Sequence, residues 1–296
     1  MTANVTSPSN GYPINRPKER LTYLDIGKGI ATVLVVIGHI VGRGAAPGPN
    51  WFGKMVGLIY LFHMPVFMVL AGITFEMSLK RFSGWPEVVN FSWRKVSRLI
   101  LPYLAFGALI ILGKYFVADL LHVDNVPTSL PLDLLNLIFQ PGATATSFLW
   151  FIYVLGIYYL VIPPMRYAVR MQPEWLLGAG VLAHLISWPT LFSLDVATWY
   201  LSFLAAGMLI WRHHNVILPP IIKHSWLWIG SFAVILFIAL PLDLPKWLVG
   251  TASVPAVLTL SYRAKGWIAQ FFAYIGRFSL SIYLMNTLAI GVTKAL

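Results

Sequence analysis

Apolar residues run through this chain in long blocks, separated by short polar or proline-bearing breaks. A spanning helix needs about 20 mostly apolar residues. Nine stretches approach that length: 25–42, 55–76, 99–118, 147–164, 175–192, 196–211, 226–241, 247–261 and 275–293. Breaks such as Pro163-Pro164 and Trp188-Pro189 help set their ends, because proline ends or kinks a helix. The stretch LDLLNLIFQ (132–140) is too short to cross and reads as an interfacial segment. GWIAQFFAY (266–274) reads as a short surface helix leading into the last span. Residues 1–20 are polar, rich in Pro, Ser and Asn, and lack the apolar run of a signal peptide, so they are expected to form a disordered cytoplasmic tail. The pattern predicts an all-α, polytopic membrane helix bundle of about nine spans, occupying residues 21–296.

Composition reinforces that reading. The chain is 58% hydrophobic and 10% charged, with a mean hydropathy of +0.75. A soluble domain is usually about 45–50% apolar and about 25% charged, so one globular core could not hide this much apolar surface. The absence of cysteine excludes disulfides, thiolate metal sites and cysteine nucleophiles. The net charge of +11 reads as basic loops on the cytoplasmic side rather than a nucleic-acid surface. With the N-terminus inside, fifteen of the 21 lysines and arginines fall on the inner side. Five (Arg43, Lys54, Lys114, Lys246 and Lys294) fall outside, and Lys28 lies within the first span. That asymmetry fixes an N-in topology.

The first span raises a chemical question. Asp25, Lys28, Thr32 and His39 are spaced three, four and seven apart, so they share one stripe of a helix with 3.6 residues per turn. Lys28 and His39 are separated by roughly 16 Å of rise, which puts Lys28 near the inner surface and His39 toward the outer one. Ionisable groups at membrane depth usually face a protein interior or a water-filled cavity. An uncharged imidazole there is the form a general base requires. In the second span His63 precedes Pro65 and falls near the depth of His39, so the two histidines point to one polar chamber. The third span opens with FSWRKVSR (91–98), which carries Arg94, Lys95 and Arg98 at its inner mouth. Such a cluster serves equally as topogenic charge or as a phosphate site.

Five segments in order complete the picture: RLTYLDIGKG (20–29) with Gly38-His39, FHMPVFMVLAG (62–72), KVSRLILPY (95–103), LWFIYVLG (149–156) and IGRFSLSIYLMN (275–286). On these the chain resembles the bacterial acyltransferase-3 membrane proteins, particularly the fucose 4-O-acetylase-like branch. The resemblance implies a multi-pass protein of the bacterial cytoplasmic (inner) membrane. Such a protein transfers an acetyl or similar acyl group from cytoplasmic acetyl-CoA to a sugar hydroxyl of a cell-surface glycan or its lipid-linked precursor. Implied partners are that glycan or lipid-linked sugar, membrane lipids and, in some systems, polysaccharide-assembly proteins. Lys28 with His39 matches the family's basic residue eleven positions before the first-helix histidine, and Lys95 with Arg98 matches its basic-x-x-Arg motif. Two departures stand out. The closing motif ends at Asn286 where relatives often carry His, and the sequence stops where they usually continue through a tenth helix.

The resulting expectation places the donor phosphates on Lys95, Arg98 and Arg94 and the pantetheine arm beside the first-helix stripe. His39 then serves either as base or as transient acyl carrier, and Lys28, oriented by Asp25, either steers the donor or stabilises developing negative charge. His63, Tyr103, Trp150 and Asn286 are expected to line the chamber. No histidine–carboxylate spacing suggests a zinc site, and no metal is expected. The rival reading is a glycan or solute transporter using the same stripe as a polar path.

Overall fold

The computed structural model describes residues 21–40, 51–118 and 125–295. The tail over residues 1–20 and the loop charge Arg43 lie outside the described residues. Twelve α-helices occur among the described residues, with no strand. They are α1 (Thr22–Ile40), α2 (Trp51–Ser78), α3 (Trp85–Val117), α4 (Leu130–Phe139), α5 (Trp150–Val169) and α6 (Pro173–Ala183). The remainder are α7 (Leu194–Arg212), α8 (His214–Lys223), α9 (Ser225–Ala239), α10 (Lys246–Arg263), α11 (Gly266–Arg277) and α12 (Ser279–Ala295). The architecture is an all-α bundle.

Each of the nine apolar stretches contains helix, but they are not nine equivalent spans. Among the described residues, α2, α3, Ser147–Val169 (a 3-10 turn running into α5) and Leu191–Arg212 (a 3-10 turn running into α7) are long and apolar enough to cross a membrane. Two further spans are possible only as bent pairs, α8 with α9 (74°) and α11 with α12 (68°). Apolar composition alone missed these breaks. The stretch 175–192 is the clearest difference: α6 has 11 residues, about 16 Å of helix against a hydrocarbon core of about 30 Å. The third stretch differs the other way, since α3 starts at Trp85 and runs for 33 residues.

α2 forms the centre of the core, and most of its residues are buried. Helices approach closely where glycine removes the side chain. A Cβ on Gly72 would collide with the Leu204 carbonyl, and one on Gly207 with the Val69 carbonyl, so α2 and α7 touch backbone to backbone. α1 meets α11 in the same way: a Cβ on Gly29 would strike the Phe272 carbonyl, and one on Gly276 the Asp25 carbonyl. Small residues permit this contact between apolar helices, where packing rather than hydrophobic exclusion drives association. The segment 266–274 is thus a helix packed along α1. α9 is apolar on all sides, and it exposes Trp226, Leu227, Val234 and Phe237, as a lipid-facing helix would. One end of the bundle is tied by ions. Arg166 pairs with Glu76 through two bonds, while Arg212 reaches Glu76 (3.7 Å), Glu174 (3.3 Å) and Gln172 (2.6 Å).

Candidate active site

Two cavities in the bundle share one wall residue, Tyr283. The smaller, about 150 Å³, is mostly apolar and is lined by Lys28, Phe67, Thr74, Leu99, Phe151, Tyr159 and Ser279, among others. The larger, about 510 Å³, is lined by His39, Tyr60, His63, Gln140, Trp150, Asp195, Tyr200 and Lys246 with their neighbours. Tyr283 borders both. Its hydroxyl donates to the Phe148 carbonyl, and its ring packs against Phe151, 5.8 Å between centroids.

The smaller cavity sits beside the lower part of the α1 stripe. Thr32, 1% exposed, donates to the Lys28 carbonyl at 2.7 Å, so its hydroxyl is spent on the helix itself. Asp25 is buried, and its carboxylate lies 3.9 Å from Arg277 Nε at the end of α11. Lys95 reaches back along α3 to place its ammonium 5.6 Å from the centroid of Phe91 and 5.4 Å from that of Tyr159. Tyr159 lines the smaller cavity together with Lys28, so Lys95 packs on one of its wall residues. Arg94 and Arg98 are exposed at that end.

The larger cavity gathers both histidines. The 3-10 turns Pro141–Ala143 and Ser147–Leu149 bring Gly142, Ala143, Ser147 and Phe148 into its wall. The His39 ring lies edge-on to Phe148 at 6.1 Å. His63 is 3% exposed, and its Nδ1 donates to the Ile59 carbonyl at 2.7 Å. That bond assigns the proton of a neutral ring to Nδ1 and leaves the Nε2 lone pair as the basic position. Tyr60 packs edge-on against His63 at 5.1 Å and bonds to the Gly38 carbonyl at 3.2 Å, which fixes α2 beside the histidine end of α1. Trp150 stacks on Tyr200 at 4.7 Å.

Of the chamber residues expected from sequence, His63 and Trp150 line the larger cavity with His39. Tyr103 and Asn286 are not among the lining residues of either cavity. Tyr103 is 1% exposed and donates to the Leu137 carbonyl at 2.8 Å, tying α3 to α4. Lys246 and Asp195, which counted by sequence only as outer charges, both face the cavity, as do Tyr60, Tyr200 and Tyr283.

A family model described as an acyltransferase domain (acyltransferase 3) matches residues 21–296. The chain belongs to the acyltransferase-3 family. The match covers every residue of both cavities, so the site described above is built wholly from the acyltransferase domain. Among curated proteins, the chain is 26% identical over 187 residues to nodulation protein NolL of Sinorhizobium fredii, covering 62% of this chain and 47% of that protein. It is also 26% identical over 216 residues to nodulation protein NolL of Mesorhizobium japonicum, covering 72% and 54%. The chain therefore spans about half the length of the curated relatives it matches. No solved structure matches it.

Proposed function

We propose that this acyltransferase moves an acetyl group from acetyl-CoA, presented on the Lys28 side, to a sugar hydroxyl held in the larger cavity. The acceptor is a cell-surface glycan or its lipid-linked precursor, and the setting is the bacterial inner membrane with Lys28 toward the cytoplasm. The carrying observation is a pair of cavities that share Tyr283 in their walls, with Lys28 lining one and two histidines lining the other. The narrow apolar cavity suits a pantetheine arm, and Lys28 with Lys95, Arg98 and Arg94 at its end suits phosphates. The groups that line the larger cavity, Asp195 and Lys246 included, belong by sequence to the outer side, which supports entry of acceptor and donor from opposite faces.

In the reaction, the acceptor oxygen attacks the thioester carbonyl while His39 takes its proton. The carbon–sulfur bond then breaks, the new ester keeps the acetyl group, and the proton passes from His39 to the departing thiolate. Lys28 offsets negative charge on the donor, and Asp25 with Arg277 holds the base of α1 in register against α11.

Transfer of tritiated acetyl from acetyl-CoA in inverted membranes tests the reading. His39→Ala is expected to lower turnover about 100-fold or more, the usual reach of general acid–base catalysis, at normal expression. Unchanged turnover would remove His39 from the chemistry. Lys95→Ala combined with Arg98→Ala is expected to weaken acetyl-CoA binding about tenfold or more, since bonds to charged groups contribute about 1.5–3 kcal/mol each.

A further inference from the structure

Two opposite charges face the larger cavity without being joined. Lys246 is the first residue of α10 and Asp195 lies in the first turn of α7; both line the cavity wall. Among the described residues, neither side chain takes part in an ion pair within 4.0 Å, although part-buried charges ordinarily find a partner of opposite sign. The Lys246 ammonium instead rests over the rings of Trp199 and Tyr200, at 5.2 and 5.5 Å from their centroids. A π face holds a cation by its quadrupole without engaging a carboxylate or carbonyl acceptor. The support is itself fixed: Tyr200 is 4% exposed and stacked on Trp150 at 4.7 Å. Asp195 and Trp199 are four residues apart on α7, so the carboxylate and the aromatic seat of the ammonium share one face of that helix.

This wall offers a carboxylate that accepts from two hydroxyls, an ammonium that donates to oxygen, and aromatic surface between them. A cavity of about 510 Å³ lies in the about 300–1,000 Å³ range of small-ligand sites, which are mostly apolar with a few placed polar groups. We infer that Asp195 and Lys246 form the acceptor subsite, gripping a neutral pyranose ring by its hydroxyls and turning one of them toward His39. The inference deepens the proposed acetyl transfer and rests on it for naming the ring as acceptor. One cation and one carboxylate balance on this wall, so it favours a neutral ring over an anionic one. Both residues are positioning residues that set which hydroxyl is presented, while the chemistry stays with His39.

Saturation-transfer NMR on the full chain in lipid nanodiscs tests this without the donor, using methyl α-L-fucopyranoside, methyl β-D-glucopyranoside and methyl β-D-glucuronoside as probes. A neutral pyranoside is expected to bind. Lys246→Met and Asp195→Asn should each weaken it about tenfold or more, as loss of a charge-assisted bond implies, and Lys246→Arg should weaken it less than about threefold. Acetyl-CoA affinity should stay within about twofold in all three variants. The inference is overturned if no neutral pyranoside binds the wild-type protein, if both charge-removing variants bind it as before, or if the glucuronoside binds about tenfold more tightly. Should a variant not fold, the wild-type preference between neutral and anionic probes decides alone. Wild-type protein that binds the pyranoside but not acetyl-CoA would count against the donor assignment and leave the subsite standing.

Discussion

At the residue scale, the proposed donor path turns on Tyr283. It is the side chain common to both walls, and its hydroxyl bond to Phe148 ties α12 to the turn beside His39. On the proposed mechanism, an acyl arm running from Lys28 to His39 passes this ring. Tyr283→Trp should therefore cut acetyl transfer about tenfold or more by displacing the thioester from its reacting position, a misplacement on the scale of about 1 Å. Acetyl-CoA affinity should hold within about twofold. Paired rates and binding isotherms check this; a loss of affinity with unchanged turnover would show that Tyr283 serves only the donor's entry. Two residues of the larger cavity's wall, His39 and His63, were legible in the sequence because each is an ionisable group inside an apolar run. Lys246 and Asp195 were not, because a lysine and an aspartate at the outer ends of helices look like ordinary loop charges. Their common cavity arises because α7 and α10 both pack against α2, which brings together residues 51 positions apart in sequence. Tyr103 misled in the opposite sense: a polar tip in a spanning helix suggests a chamber, but a backbone carbonyl on α4 uses it.

At the element scale, glycine placement decides which helices can touch. The α1–α11 contact matters most, because it sets the stripe bearing Lys28 and His39 against Arg277. Gly276→Ala should destabilise the fold by about 1–3 kcal/mol, the usual cost of overpacking, since its Cβ meets the rigid Asp25 carbonyl. Gly113→Ala, which meets nothing within 4 Å in α3, should be neutral or stabilising by up to about 1 kcal/mol through helix propensity. Thermal unfolding in detergent separates the two, and equal melting shifts would refute the close crossing. Helical segments were readable from apolar runs, but their division into spans was not. The bend between α11 and α12 falls at Phe278 within an apolar run that contains no proline. The short α6 likewise reads as a full span until the chain turns away after Ala183. Hydropathy reports the surroundings of a residue and not the direction of the chain through it.

At the scale of the whole molecule, the bundle has two chemically distinct ends. One is braced by Glu76, Arg166, Arg212 and Glu174 and presents Lys28 at the narrow cavity, with Lys95 over the ring of Tyr159. The other opens into the larger cavity with both histidines and the Asp195–Lys246 wall. The two bent helix pairs both lie in the second half of the chain, rather than at corresponding places in two halves as in repeat-built transporters, and family membership points the same way. The central claim is that the donor's arm reaches from the first end into the second. Because the chain has no cysteine, a single one introduced by Ala143→Cys in the larger cavity's wall gives a unique thiol for maleimide labelling. In nanodiscs, saturating acetyl-CoA is expected to slow that labelling about fivefold or more by mass-action occupancy, whereas adenosine 3′,5′-bisphosphate, a donor fragment lacking the arm, should leave it unchanged. Equal effects of the two ligands, or none from either, would contradict a donor path that ends beside His39.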